Sequence, residues 1–308
     1  MKYITDTLDF SLERRSAVTL GKFDGLHRGH QKLVNRIREF GEDGFETVIF
    51  TFDVTPLALL GKGAKEMLLT PQERARLARD LGVDCMIACP FREEIRNMEA
   101  EVFVREILAG QLRAAHLVVG EDFHFGHKRK GTPELLQELG PRYGFDVEIL
   151  KKETFQGRAI SSSWIREALR AGDMALVREL LGYAYEIQGP VVRGRQLGRK
   201  LGFPTINQIP DERKILPPFG VYISRIHIRG KEYKGISNLG CKPTVDGDFV
   251  GIETYLYDCE EDLYGAQARV ELLQMLRPEV RFPSVEALRE QLERDIEKGR
   301  EILSNTFY

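Results

Sequence analysis

Along the first half of the chain, short apolar runs alternate with segments whose apolar residues recur at helical spacing. Residues 17–20 form one such run, followed by a glycine-rich turn and a helical pattern over 29–40. Residues 47–52 are β-branched and aromatic, which predicts a buried strand. Thr70-Pro71-Gln72-Glu73 offers a capping hydroxyl, a proline at the first helical position and a glutamate at the third. A helix is expected from there to about Leu81, stopping at Gly82. Further strands are predicted at 85–88, 116–119 and 145–150. Helices are predicted at 100–108, from Thr132-Pro133 to Gly140, and from Ser161-Ser162-Ser163 through Leu169. Strand and helix in alternation imply a parallel sheet covered by helices.

After about Gly182 the texture changes. Runs rich in β formers at 185–192, 221–228, 251–257 and 268–276 follow one another with turn residues between them and no helical pattern. That pattern predicts a small antiparallel β-barrel. Ser284 caps a last helix over 285–303, with Leu288, Leu292, Ile296 and Ile302 partly on one face. The expected organisation is an α/β, Rossmann-like domain over 1–182, then a β-barrel domain with a C-terminal helix over 183–308.

Composition narrows the picture. With 308 residues and 42% apolar side chains, the chain can bury two ordinary cores. The 45 basic and 47 acidic residues nearly cancel, which argues against a general nucleic-acid binder. The basic stretch 193–200 can still hold one small phosphorylated ligand. None of the four cysteines forms a Cys-x-x-Cys pair, so neither a zinc ribbon nor a redox dithiol is expected; all four are expected as small buried apolar side chains. The first ten residues carry acidic groups and no apolar core, and no run is long enough to span a bilayer. A cytoplasmic address without membrane or nucleic-acid partners is therefore expected. Homo-oligomerisation is compatible with the sequence, which does not fix it.

The first chemical constellation is Gly21-Lys22-Phe23-Asp24-Gly25-Leu26-His27-Arg28-Gly29-His30, between the first strand and first helix. Ligands of open parallel sheets bind where strands end and helices begin, and free N–H groups there favour phosphate. His27 and His30 are three apart, so both can point at one spot, and Gly29 allows a phosphate close to the backbone. Imidazole N–H donors suit the charge that builds on an α-phosphate under attack. Two later segments fit the same pocket. In 120–126 the aromatic rings of Phe123 and Phe125 can stack on a flat ring. Ser162, Ser163 and Arg166 open a helix and offer hydroxyls, N–H groups and a guanidinium to a diphosphate leaving group.

The second constellation is 198–207. Its glycines can bring backbone donors onto phosphates. In an extended segment Thr205 and Asn207 share a side, and two neutral oxygens suit Mg²⁺. Ser237-Asn238-Leu239-Gly240 and Lys242-Pro243-Thr244 read as a polar loop. Glu253, in a β-like run, can accept a proton from an attacking alcohol.

Taken together, 21–30, 120–126, 161–166, 198–207, 220–222, 237–244, Glu253 and 262–265 closely resemble the bacterial bifunctional riboflavin kinase/FAD synthetase family, over about 17–303. The resemblance implies a barrel that phosphorylates riboflavin with ATP to FMN, and a first domain that transfers AMP from ATP to FMN, giving FAD and pyrophosphate. It implies His27 and His30 at the α-phosphate, with Gly21, Phe23, Gly29, Ser162, Ser163 and Arg166 around the ATP phosphates and Asp122, Phe123 and Phe125 at the flavin. In the barrel it implies ATP on Gly198, Lys200 and Gly202, Mg²⁺ on Thr205 and Asn207, and Glu253 as base. Three departures stand out. Val54-Thr55 replaces a common Pro-His, whose histidine the resemblance implies as an auxiliary nucleotide contact; Ile206 replaces an alanine; Tyr255 stands where a histidine is common. A single-activity nucleotidylyltransferase acting on another phosphorylated molecule would leave the barrel unexplained. A flavin-binding regulator would have no need of the catalytic set.

Overall fold

The computed structural model describes residues 1–53, 66–194, 198, 201–244 and 247–305. Val54, Thr55 and Lys200 lie outside them. The chain divides into two compact units, Met1–Ser162 and Ser163–Tyr308.

The first unit is built on a six-stranded, wholly parallel sheet: β1 (Lys2–Thr5), β2 (Ser16–Leu20), β3 (Glu46–Phe52), β4 (Cys85–Cys89), β5 (Ala114–Gly120) and β6 (Asp146–Leu150). Their order is β1-β4-β3-β2-β5-β6. The chain thus winds from β2 to one side, then reverses to β5 and β6 on the other. The crevice between the carboxyl ends of β2 and β5 is the switch point where such sheets bind ligands. β2 is buried throughout. Alternation along β3 sends Val48 and Phe50 into one core and Ile49 into the other, as expected for a strand covered on both faces. β1 is an exposed edge strand whose sequence lacks the apolar run that would predict it.

Among the described residues, the α-helices of this unit are α1 (Arg28–Glu42), α2 (Pro71–Asp80), α3 (Glu93–Arg96), α4 (Ala100–Phe103) and α5 (Pro133–Tyr143). The expected capping box of α2 is present, with Thr70 and Glu73 exchanging hydrogen bonds. α4 runs on into a π-helical stretch, Val104–Gln111. α5 does not stop at Gly140. A Cβ there would lie 2.6 Å from the Phe145 carbonyl, so the glycine serves close packing, while Gly144 at φ +80° ends the helix. A hairpin, β7 (Thr154–Phe155) with β8 (Arg158–Ala159), follows β6.

α6 (Ser162–Arg170) starts on the last residue of the first unit and continues into the second, where α7 (Met174–Leu181), capped by Asp173, packs on the barrel. The barrel comprises β9 (Tyr185–Pro190), β10 (Thr205–Gln208), β11 (Gly220–Ile228), β12 (Lys231–Thr244), β13 (Gly247–Leu256) and β14 (Gln267–Pro278), antiparallel in the order β10-β13-β12-β11-β14-β9. Its two edges meet at a bridge between Val192 and Asn207. The buried Gln208 amide reinforces that seam by donating to the carbonyls of Gly189 and Ala268. The expected polar loop over 237–244 is instead part of β12. Ser237 points inward, where its hydroxyl bonds that of Thr254, which hides the strand's alternation. α8 (Val285–Asn305) lies on the barrel's outer face, pinned by a bidentate Arg277–Asp295 pair and by the Tyr257 hydroxyl on the Ile296 carbonyl. Of the cysteines, Cys85 and Cys89 are buried as expected. Cys241 is exposed toward the end of β12, and Cys259 is half-buried in the loop after β13. Among the described residues no helix is long and apolar enough to cross a membrane.

Candidate active sites

The segment after β2 is held in a conformation that side chains resist. Phe23 and Leu26 have φ of +47° and +36°, with Gly25 at +92° between them. Such strain persists only where the surroundings over-determine it. Here Phe23 and Leu26 are fully buried beside Val34 and Ile49. Asp24 is held twice: its Oδ1 accepts the Leu68 N–H at 2.9 Å, and its carbonyl accepts the Ser162 hydroxyl at 2.7 Å. Asp24 lies inside the histidine motif, where its place among the glycines is the one sequence signal of this role.

That loop delivers His27 to the cap of α1, where its Nδ1 accepts the His30 N–H at 3.4 Å. This leaves the Nε2 position as the N–H donor of a neutral ring. The two imidazoles stack, centroids 3.7 Å apart and 18° between planes. Burial lowers the His27 pKa from 6.5 to about 4. His30 falls well below its ordinary value, through burial first and repulsion from His27 second. Both rings are therefore uncharged at neutral pH and act as dipolar donors. Among the described residues the buried His30 Nδ1 has no hydrogen-bond partner. Gly29 has a reason beyond backbone approach: a Cβ there would lie 3.2 Å from the His27 ring. Gly21 likewise leaves room for the Phe23 ring, at 3.2 Å. The Phe23 side chain lies 5.1 Å from His30 and wholly inside, so it backs the histidine and leaves only its main chain for ligand contact.

Across the switch point, the loop after β5 carries Asp122, Phe123 and Phe125. The two rings stack with centroids 5.8 Å apart. Phe125 is buried under Gly131, where a Cβ would meet the ring at 2.6 Å, so Phe123 is the half-exposed member. Asp122 pairs with Lys152 at 3.0 Å. Glu153, unforeseen in the sequence, draws Arg28 and Lys32 of α1 to 3.3 and 3.7 Å. Of the serine–arginine set, Ser162 is tied directly to the histidine loop. Ser163 is exposed and Arg166 half-buried one turn further along α6.

The second site follows from strand register. Along β10, Ile206 and Gln208 are buried while Thr205 and Asn207 are half-exposed, so the latter two share the outer face. Ile206 therefore points into the barrel, away from the candidate ligands. β13 pairs Asn207 with Glu253 and Thr205 with Tyr255; on its other side β12 sets Asn238 opposite Glu253. Three polar side chains from three strands thus lie in one row, with Glu253 at the centre and half-exposed. Asn238 joins this row only through pairing across the sheet. Gly198 accepts the N–H groups of Leu201 and Phe203, closing a tight turn, and Gly202 within it has φ +89°. A Cβ at Gly194 would lie 2.6 Å from the Asn207 side chain, so the approach to Asn207 is kept open by a missing side chain.

Comparison with known proteins agrees with both halves. A family model described as FAD synthetase matches residues 9–164, and one described as riboflavin kinase matches 181–303. The chain is 38% identical over 291 residues to a bifunctional riboflavin kinase/FMN adenylyltransferase from Pseudomonas fluorescens, covering 94% of this chain and 93% of that one. It is 36% identical over 292 residues to the protein of the same description from Escherichia coli K12, with the same coverage. A solved structure described as a macrolide-efflux protein from Streptococcus pneumoniae superposes with TM-score 0.86 at 29% identity over 99% of each chain. With both family domains in this order and relatives at this identity over nearly its full length, the chain belongs to the bifunctional riboflavin kinase/FMN adenylyltransferase family.

Proposed function

We infer that this chain makes FMN from riboflavin and ATP on its barrel, and FAD from FMN and ATP on its parallel sheet, with the functional boundary near 182/183. The observation that carries the reading is the stacked pair of uncharged imidazoles at the N-terminus of α1, His27 buried and His30 half-buried, beside the β2/β5 switch point. In the second reaction a phosphate oxygen of FMN attacks the ATP α-phosphorus, and the bond to the β-phosphate oxygen breaks to release pyrophosphate. Negative charge grows on the non-bridging α-oxygens. The N–H donors of His27 and His30, with the free N–H groups of α1, are preorganised for that charge. Ser162, Ser163 and Arg166 are the groups proposed for the departing diphosphate, and Phe123 with Asp122 for the flavin. Gly21, Gly29 and the Phe23 main chain line the phosphates.

In the first reaction the riboflavin 5′-hydroxyl attacks the ATP γ-phosphorus and ADP leaves. Glu253 takes the hydroxyl proton. The turn at Gly198 and Gly202, with Lys200, is the proposed phosphate cradle. Mg²⁺ suits the residues present: the hydroxyl of Thr205 and the amide oxygen of Asn207 are hard neutral donors on one face, and Gly194 leaves the approach unfilled. Bound there, the ion would neutralise charge on the triphosphate. A cytoplasmic setting fits both reactions, since both draw on ATP. The test is chromatography of flavins after incubating the full chain with riboflavin, ATP and Mg²⁺. Successive appearance of FMN and FAD is expected; a product containing neither would overturn the reading.

A further inference from the structure

Behind the histidine loop lies a buried guanidinium that belongs to none of the sequence motifs. Arg74, in the first turn of α2, is 9% exposed. Burying such a charge is costly unless its donors find partners. Its Nη1 donates to the Lys22 carbonyl at 3.2 Å and its Nη2 to the Phe52 carbonyl at 3.4 Å. The Thr51 hydroxyl donates to the same Lys22 carbonyl at 3.1 Å. Among the described residues the Arg74 Nε is buried without a hydrogen-bond partner. Burial works against the charge, and Tyr3, then Asp24 and Asp53, favour it.

The choice of carbonyls is informative. Phe52 ends β3, and Lys22 lies just beyond the end of β2, so both oxygens sit at the carboxyl rim of the sheet. Carbonyls there present the negative ends of peptide dipoles to the rim where phosphate binds, and a cation bound to them offsets that field. The Lys22 carbonyl also belongs to the peptide that enters Phe23, the first residue of the positive-φ run. Fixing that oxygen fixes the peptide plane from which Phe23, Leu26 and then His27 follow. A packing role alone would not require a guanidinium spanning two strand ends.

We propose that Arg74 is a positioning residue for FMN adenylylation, holding the Lys22–Phe23 peptide so that His27 and His30 stay aligned on the α-phosphate. This rests on assigning that reaction to the first unit, and a parent chain that makes no FAD at all would refute that assignment rather than the role of Arg74. The test compares Arg74→Met and Arg74→Lys in the full chain, with and without guanidinium chloride at sub-denaturing concentration. For Arg74→Met, kcat of FAD formation is expected to fall about 10–100-fold, the scale of a small misplacement of catalytic groups. KM for ATP should stay within about threefold and riboflavin phosphorylation should be unchanged. Added guanidinium should restore part of the lost rate, and Arg74→Lys, which reaches one carbonyl at a time, should lie between Met and the parent. Parental kcat in either variant would overturn the proposal. So would a loss carried by KM, or one that neither lysine nor guanidinium relieves. Should the methionine variant not fold, the kcat and KM of the lysine variant decide the matter alone.

Discussion

The two candidate sites are built on opposite plans. On the parallel sheet, the central pair His27 and His30 is stacked, uncharged and fixed by a strained loop that Asp24, Phe23 and Leu26 hold from three directions. On the barrel, Thr205, Asn207, Asn238 and Glu253 are half-exposed residues brought into a row by antiparallel register. The first plan ties catalysis to stability, because moving one imidazole disturbs its stacked partner and the helix cap. The second lets chemistry change with little cost to the fold, because an outer-face strand residue carries little of the core. Substitutions should therefore separate the sites twice, by which step they stop and by how much they destabilise.

The largest effect is expected at Glu253. Glu253→Gln keeps size and one hydrogen bond but cannot take the hydroxyl proton, so FMN formation should fall by about 10²–10⁴. Conversion of added FMN to FAD, and the melting temperature, should hardly change. A rate within about threefold of the parent would remove Glu253 from the mechanism. His30→Ala should lower FAD formation by about 10²–10³ through loss of a preorganised donor, while FMN still accumulates. Equal loss of both steps in a folded variant would refute the separation.

A third expectation concerns pH. His27 titrates at about 4 in the folded chain against an ordinary 6.5, so between those values the unfolded chain binds the proton that the folded chain refuses. The stability this group contributes is complete above about 6.5 and is lost as pH falls through about 4. It amounts to something on the order of 3 kcal/mol. Asparagine at position 27 caps a helix and does not titrate. The difference in urea stability between parent and His27→Asn should therefore drift toward the variant as pH falls from 6.5 to 4. A pH-independent difference would mean that His27 is not held uncharged. The smallest effect is expected for Gly29→Ala. Helix propensity favours alanine, but its Cβ would press on an imidazole that is already stacked and buried. FAD formation should slow roughly fivefold, about 1 kcal/mol of barrier, with stability nearly unchanged; an unaltered rate would show that the ring can yield.

Much of this was legible before the fold was known. The strand at 47–52, the Thr70 capping box, the histidine motif and the change of texture near Gly182 each carry a local signature. What stayed hidden is non-local. Nothing in the sequence alone sets Asn207 and Asn238 on either side of Glu253, because pairing partners lie far apart in the chain. β12 was masked by inward-facing Ser237 and its glycines, and β1 by being an exposed edge. α7 is short, and its Asp173 cap follows directly on the turn that ends α6. Arg74 sits in a charged run, Glu73-Arg74-Ala75-Arg76, where one buried arginine cannot be told from an exposed one.

The most direct test of two separable sites in one chain is complementation between variants. Glu253→Gln and His30→Ala are purified separately, each is given riboflavin with ATP and Mg²⁺, and then the two are mixed. Neither alone should yield appreciable FAD: the first leaves riboflavin unconverted, and the second stops at FMN. The mixture should form FAD, as FMN made by one chain is adenylylated by the other. A mixture that forms no FAD, while each variant retains its own remaining step, would contradict the account.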